Sequence, residues 1–341
     1  MVYTVTIVFF GLRGHILTDF SVYYYYFEFF NYTEIFTSNG LFEPGFIFFT
    51  YICKLIWDNY FFWVFVSSVV HIFALTHLFK KYIGNISIGL IFFLGYRGII
   101  VEFNLMQNFI SILLFLYSIP FLQKRKLLPY LLLNLLGMTF HITSIIYIPL
   151  YFVLNREVNK KWAILIVLIS NMFFLGGSEA LINVFFWLVS VALPSTFEDY
   201  LYFFLDINSY GITFGYLERT LMIILIIYFG DRIKSEIKHG VIWYNLALFY
   251  YSFFLLLSPI DVLTDRIPIL FLSAFWVLPA CLLFFNNKFR QVIAALLIVL
   301  SFAKLVLSTR DPVARYDNLL FGITPFEERF LEVEEFLDDN L

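Results

Sequence analysis

The stretch "LLPYLLLNLLGMTFHITSIIYIPLYFVL", residues 127–154, restricts this chain more than any other. It runs 28 residues without Asp, Glu, Lys or Arg. Basic clusters stand on both sides, Lys124-Arg125-Lys126 before it and Arg156 with Lys160-Lys161 after it. A helix needs about 20 apolar residues to cross the hydrocarbon, and short basic loops stay on the cytoplasmic side of a membrane. One straight helix would carry the second cluster across. An even number of crossings suits both clusters, so the stretch reads as a hairpin of two short helices broken near Gly137 to His141. Irregular backbone at membrane depth survives only where protein or a wet cavity shields it. His141 is therefore expected at the hairpin tip, buried or toward the outer face.

The remaining sequence extends this reading. Only 14% of residues are charged and 61% are hydrophobic, whereas soluble domains carry about 25% charge. That supply cannot cover a surface facing water. The expected fold is an all-α polytopic membrane protein with about 10 transmembrane or re-entrant helices. Candidate spans fall at 60–79, 83–95, 103–122, 162–178, 216–229, 241–258, 268–285 and 291–307. Basic loops place the segments 11–42, 95–102, 179–215 and 259–267 outside, together with the tail from 308. Residues 43–56 then start and end outside and read as re-entrant or interfacial; 181–193 look similar. The opening "MVYTVTIVFFGL" is too short to cross alone and reads as half a helix or the end of an upstream span, with no cleavable signal. A single membrane domain over 1–307 is expected, followed by a tail, 308–341. In that tail Thr324, Pro325 and Glu327 signal a helix start, and Phe326, Phe330, Val333 and Leu337 share one face. Its acidic face suits docking on the outer domain, or mobility, better than lipid.

Several function classes are excluded by absence of their signals. The net charge of −3 offers no basic face for nucleic acid. No HExxH, CxxC, Walker or GxGxxG pattern occurs, so neither a metal nor a nucleotide cofactor is expected. Cys53 and Cys281 read as small buried hydrophobes, and His71, His77 and His239 have no ligand-like partners in sequence.

Charge type carries the functional signal. The cytoplasmic groups hold nine lysines against four arginines; elsewhere stand Arg13, Arg97, Arg219, Arg266, Arg310, Arg315 and Arg329 against Lys54 and Lys304. Guanidinium is a planar fork matched to phosphate and carboxylate. The outer face is therefore expected to hold an anion. Arg13 and Asp19 precede a run, Tyr23 to Phe29, that is aromatic at six of seven positions. Either this is an interfacial ion pair with anchoring tyrosines, or a wet entrance whose Tyr23 and Tyr26 stack on sugar faces. Asp261, Asp265 and Arg266 in "SPIDVLTDRIPIL" sit at an outer helix start, where anions are favoured. Arg219 in "GYLERT" resembles that arrangement, Arg97 lies between glycines in an outer turn, and Glu43-Pro44-Gly45 reads as a helix start.

"GLRGHILTDFSVYYYYFEFF", "FEPGFIFFTYICKLIWDNY" and "FNLMQNFISILLFLYSIPFLQKRKLLPYLLLNLLGMTFHITSIIYIPLYFVL" resemble, in that order, the blocks of the EpsG family of Wzy-type polysaccharide polymerases, within the C-class glycosyltransferase superfamily. The family's Arg and Thr-Asp map onto Arg13, Thr18 and Asp19, its Glu-Pro-Gly-Phe onto Glu43 to Phe46, its Phe-His-x-Ser-like block onto Phe140, His141 and Ser144, and its late arginine onto Arg266. Leu17 replaces a glycine, Phe20 a tyrosine, and Gln107-Asn108 an Arg-Gln pair. The resemblance implies polymerisation of undecaprenyl-pyrophosphate-linked oligosaccharide repeat units into O-antigen, capsule or exopolysaccharide at the outer face of the bacterial cytoplasmic membrane. It assigns Arg13, Arg97, Arg219 and Arg266 to the pyrophosphate. Asp19 or Asp261/Asp265 activates the acceptor hydroxyl, His141 positions or shares the proton, and Tyr23, Tyr26 and Glu43 take the sugar or lipid. The implied partners are the lipid-linked glycan, membrane lipid and a chain-length regulator. The alternatives are an O-antigen-ligase-like transferase and a transporter or flippase of lipid-linked oligosaccharide; a transporter predicts paired inverted repeats, which the sequence does not show.

Overall fold

The computed structural model describes residues 2–31, 33, 42–176, 212–286 and 288–338. Every named element among them is a helix, and two isolated bridges are the extent of strand-like pairing. The described residues cluster into two compact units, one of residues 1–151 with 282–341 and one of 152–281.

The first unit begins with α1 (Val2–Gly11), α2 (Phe20–Glu28) and α3 (Pro44–Ile56), the last opened by proline at its first position. Next, α4 (Tyr60–Tyr82) is capped by Asn59, whose side chain accepts from the Phe62 amide, and ends on Lys80-Lys81. After α5 (Ile86–Gly95) and α6 (Gly98–Phe103) comes α7 (Met106–Gln123), then α8 (Leu127–Phe140) and α9 (Tyr147–Val153). The hairpin is present. A straight helix would hold residues 21 positions apart at about 31 Å, yet the Tyr130 and Tyr151 rings lie 5.2 Å apart and the Tyr130 hydroxyl donates to the Tyr147 carbonyl. The break falls at His141, extended between α8 and a 3-10 turn over Ile142–Ile146. Arg125 pins the base by donating to the Tyr151 carbonyl at 3.0 Å.

The remaining helices are α10 (Lys160–Gly176), α11 (Phe214–Tyr228), α12 (Gly230–Glu236), α13 (Gly240–Leu257), α14 (Asp261–Arg266) and α15 (Ser273–Leu282), then α16 (Arg290–Ser308) and α17 (Phe326–Asp338). In the second unit α13 is buried nearly all round and packs against α10, α11 and α12. Polar groups join those helices: Asn171 donates to the Tyr251 hydroxyl at 2.9 Å and accepts from the Tyr216 hydroxyl at 2.7 Å. Such bonds substitute for the hydrophobic drive that lipid removes between helices.

Four described helices, α4, α7, α13 and α16, are long and apolar enough to cross a membrane, with shorter apolar helices beside them. Of these α16 decides the environment, because only 11% of its apolar window is buried. An apolar helix that leaves its surface bare is stable where lipid covers it. It meets α5 at Ser301, where a Cβ on Gly95 would come within 2.6 Å of the serine Cβ, so small residues set the approach.

Two expectations change. Residues 95–102 are not an open loop: α6 is packed against α5 and α7, and its Glu102 is fully buried. Arg266 stands in the last turn of the six-residue α14, before a 3-10 turn at Pro268–Phe271, rather than at a helix start. There its charge suits the negative end of the helix dipole. The patch 181–193 and nearly all of 179–215 lie outside the described residues.

Candidate functional site

Two sequence blocks meet in the first unit. Glu43 precedes Pro44 at the start of α3, and His141 ends α8. Their side chains touch across 98 positions, His141 Nδ1 to Glu43 Oε1 at 3.0 Å. The same carboxylate oxygen accepts from the Ile142 amide at 2.8 Å, satisfying a donor freed by the helix break. Both side chains are partly accessible, at 14% and 18%. Burial alone would raise the Glu43 carboxyl; the bonds from His141 and Ile142 outweigh it and hold the group below its ordinary value. An ionised carboxylate at Nδ1 selects the tautomer with the proton there, leaving Nε2 as an acceptor. Nε2 bonds to no described residue. This is the orientation a general base needs.

Gly45 makes the approach possible. A Cβ there would sit 2.7 Å from the Thr139 carbonyl oxygen, against ordinary contact from 3.4 Å upward. Backbone cannot swing aside as a side chain can. Gly45→Ala is expected to separate α3 from α8 and cost about 1–3 kcal/mol as overpacking. A parental melting temperature in that variant would contradict the placement.

Arg13 is fully engaged inside the fold. It donates to the Phe10 carbonyl and the Ser68 hydroxyl, each at 2.8 Å, and lies 3.9 Å from Glu102 and 4.5 Å from the Phe103 ring centroid. Glu102 in turn faces His71 Nδ1 at 3.0 Å, both fully buried. His71, without a visible partner in sequence, therefore has one. Asp19 does not pair with Arg13; its carboxylate accepts from the Thr18 hydroxyl at 3.1 Å. Asn104 ties this corner together by donating to Thr18 at 3.0 Å while its backbone carbonyl accepts from Tyr23 at 2.9 Å. Tyr23 and Tyr26 stand within a packed aromatic core with Phe42, Phe46 and Trp63, against which Phe140 also rests. The Arg13–Asp19 segment and the Glu43–His141 pair are thus mounted on one aromatic cluster. In the run of tyrosines, Tyr25 is the one left exposed.

Leu17, standing for the family glycine, explains that glycine: its φ is 64°, in the left-handed region. Leucine there costs roughly 1–2 kcal/mol, an amount its burial offsets at about 1.5–3 kcal/mol.

The tail docks on this same segment. Leu17 N donates to the Val313 carbonyl at 2.8 Å, and Gly14 N to Asp317 at 3.0 Å. Arg329 of α17, 1% exposed, donates to the carbonyls of His15, Pro312, Val313 and Arg315 and to Glu332. The helix begins at Phe326, one position beyond the expected proline, because Thr324 takes other work: its amide donates to Asp317 and its hydroxyl accepts from Arg315. Phe326 and Val333 are buried while Leu337 is exposed. Phe326, Phe20, Tyr24 and Tyr60 enclose His15, whose imidazole burial pushes down to about 4. The unfolded chain takes that proton near 6.5, so protons favour release and docking weakens as pH falls from about 6.5 toward 4. Arg329→Ala is expected to lose about 1.5–3 kcal/mol or more of docking as its carbonyl partners lose a charged donor, read as faster protease cleavage across 309–325; parental protection at both pH 7 and pH 5 would refute the clamp.

The arginine excess therefore changes meaning. Arg13, Arg315 and Arg329 are consumed by partners within the first unit, and Arg310 faces Asp311 at 3.5 Å. Arg97 holds a left-handed backbone, φ 59°, before α6. In the second unit Arg219 is buried, donating to the Tyr250 hydroxyl and the Gly215 carbonyl with its guanidinium 3.8 Å from the Phe254 centroid. Arg266 is exposed. The side chains of Asp261 and Asp265 lie outside the described residues. Sequence reasoning missed Glu102 and the inward turn of Arg329; a lone carboxylate inside an apolar stretch was the available signal for the first.

The EpsG family model matches residues 1–320, a range that ends before α17. No curated protein and no solved structure matches the chain.

Proposed function

The chain belongs to the EpsG family, whose members are membrane proteins of polysaccharide biosynthesis, and on that premise we propose that it lengthens a surface polysaccharide from polyprenyl-pyrophosphate-linked repeat units. The observation that carries this reading is the Glu43–His141 pair, with Nε2 unengaged among the described residues and both groups partly accessible. An acceptor sugar hydroxyl gives its proton to His141 Nε2 as its oxygen attacks the anomeric carbon of the donor glycan. The new glycosidic C–O bond forms, the C–O bond to diphosphate breaks, and the lipid diphosphate leaves with the electron pair. Glu43 holds the imidazole in register and balances the imidazolium. Placement in the bacterial cytoplasmic membrane, with the pair toward the exterior, belongs to the same proposal.

Arg13 has a different task in this reading. Its partners are already in place, so it positions the segment that carries Thr18 and Asp19.

Purified protein supplied with a lipid-pyrophosphate repeat unit should yield a ladder of products on a gel. Unchanged substrate with folded protein would refute the reaction. Transfer of a preformed chain to a lipid acceptor without a ladder would assign a ligase instead.

A further inference from the structure

The second unit carries a slot that the proposed reaction does not use. A cavity of about 400 Å³ lies beside α13, lined along that helix by Asn245, Leu248, Phe249, Ser252, Phe253 and Leu256. Those positions recur at three- and four-residue spacing and so form one stripe, about 16 Å long at 1.5 Å per residue. Arg156 stands at the end where the chain enters α10. Its Nε donates to the Phe152 carbonyl at 3.0 Å, and its two terminal nitrogens meet no acceptor among the described residues. The surrounding charge is positive. Lys160 and Lys161 are exposed beside it, while Glu157 is taken by Lys234 at 3.1 Å and Lys234 also faces Asp231 at 3.4 Å.

A second feature points to a ligand. Asn245 is 3% exposed, and its Nδ2 donates to the carbonyls of Leu154 and Arg156 at 2.8 and 2.7 Å. Those two acceptors fix the amide orientation, so the atom left over is the oxygen, an acceptor. Asn245 Oδ1 and Ser252 Oγ, both on the lining stripe, are buried with no hydrogen-bond partner among the described residues. Buried polar atoms in native proteins are normally paired. The slot thus offers a cation at its mouth, an unfilled acceptor just inside, and an apolar trough behind.

We propose that this slot binds one anionic phospholipid, its phosphate at Arg156, a headgroup hydroxyl donating to Asn245 Oδ1, and an acyl chain along α13. Phosphatidylglycerol has this chemistry; phosphatidylcholine has neither the net charge nor the hydroxyl. Basic pockets between membrane helices recognise anionic headgroups in the same manner. A volume of about 400 Å³ has room for one acyl chain, so a single lipid per chain is expected.

The test is native mass spectrometry of the delipidated full-length protein in detergent, titrated with phosphatidylglycerol or phosphatidylcholine. One phosphatidylglycerol should bind at least tenfold more tightly than phosphatidylcholine. Arg156→Gln and Ser252→Phe, which remove the cation and fill the trough, should each weaken that binding at least tenfold. Melting temperature with and without phosphatidylglycerol gives a second reading: the lipid should raise it for the parent and leave Arg156→Gln unmoved. Arg156 is exposed, so its variant keeps the fold even if Ser252→Phe does not. Equal binding of the two lipids, or parental binding by Arg156→Gln, would overturn the proposal.

Discussion

His141→Ala is expected to abolish chain growth, with the initial rate of ladder formation falling at least a hundredfold while the protein still inserts and melts near the parental temperature. General base catalysis by a positioned side chain contributes about 10²–10⁴ in rate. The imidazole sits at a helix break, partly accessible, and carries no packing core, so its loss should act on rate before stability. Glu43 supplies the comparison. Glu43→Gln keeps an oxygen for the Ile142 amide but removes the charge that selects the tautomer and balances the imidazolium; the rate should fall at least tenfold. Glu43→Ala also frees the Ile142 amide and loosens the start of α3, so it should approach His141→Ala. The double variant His141→Ala/Glu43→Ala should be no slower than the single histidine variant, since residues acting as one unit give non-additive losses. Ladders at parental rate from His141→Ala would sink the assignment, and so would losses that simply add.

The pH dependence follows from the Glu43 carboxyl, which the bonds from His141 and Ile142 hold low against the opposing effect of burial. A group depressed in the folded state stays ionised as pH falls past the ordinary carboxylate range, and its contribution is lost only below that. Glu43 therefore sets no limit on activity between neutral and mildly acid pH. A rate that collapses near the ordinary carboxylate value in the parent, and not in Glu43→Gln, would contradict this.

Charge placement in the sequence located the helix break to within the window that contains His141, and the span boundaries of α4, α13 and α16 fall within a few residues of hydropathy expectations. Those features are local: periodicity, basic loops and capping residues encode them. Both members of the pair were also legible as separate motifs. Their meeting was not, because a contact across 98 positions leaves no trace in either motif. The arginines misled for a related reason. Counting guanidiniums says how many anions a surface could hold, and says nothing of carbonyls. Arg329 takes four of them, three at 312–315 and one at His15, and the sequence gives no reason to expect His15 beside α17. Glu102 was hidden by its neighbours, since "RGIIVEFN" has turn residues at both ends and reads as a connection. Only the helix packed under it turns that carboxylate inward.

The largest expected loss of stability is at Glu102. Arg13 and Glu102 are both buried, 3.9 Å apart, with His71 on the far side of the carboxylate at 3.0 Å. At an effective dielectric of about 20 their attraction is about 4 kcal/mol, opposed by the desolvation of both charges. Removing one partner leaves the other charge buried and alone, which typically costs about 3–5 kcal/mol. Glu102→Ala should therefore lose most of the folded population at temperatures the parent tolerates. Neutralising both sides tells a different story. Arg13→Met with Glu102→Gln leaves His71 an acceptor and leaves no unpaired charge, so this double variant should recover most of the parental melting temperature. Once the fold is restored, its activity decides what Arg13 is for. Ladders from the double variant mean that the guanidinium holds the segment bearing Thr18 and Asp19 and nothing more. A folded double variant that makes no ladder means that the charge itself acts on the diphosphate, and Arg13 must then leave Glu102 during the reaction. A Glu102→Ala protein as stable as the parent would remove the ion pair from the account altogether.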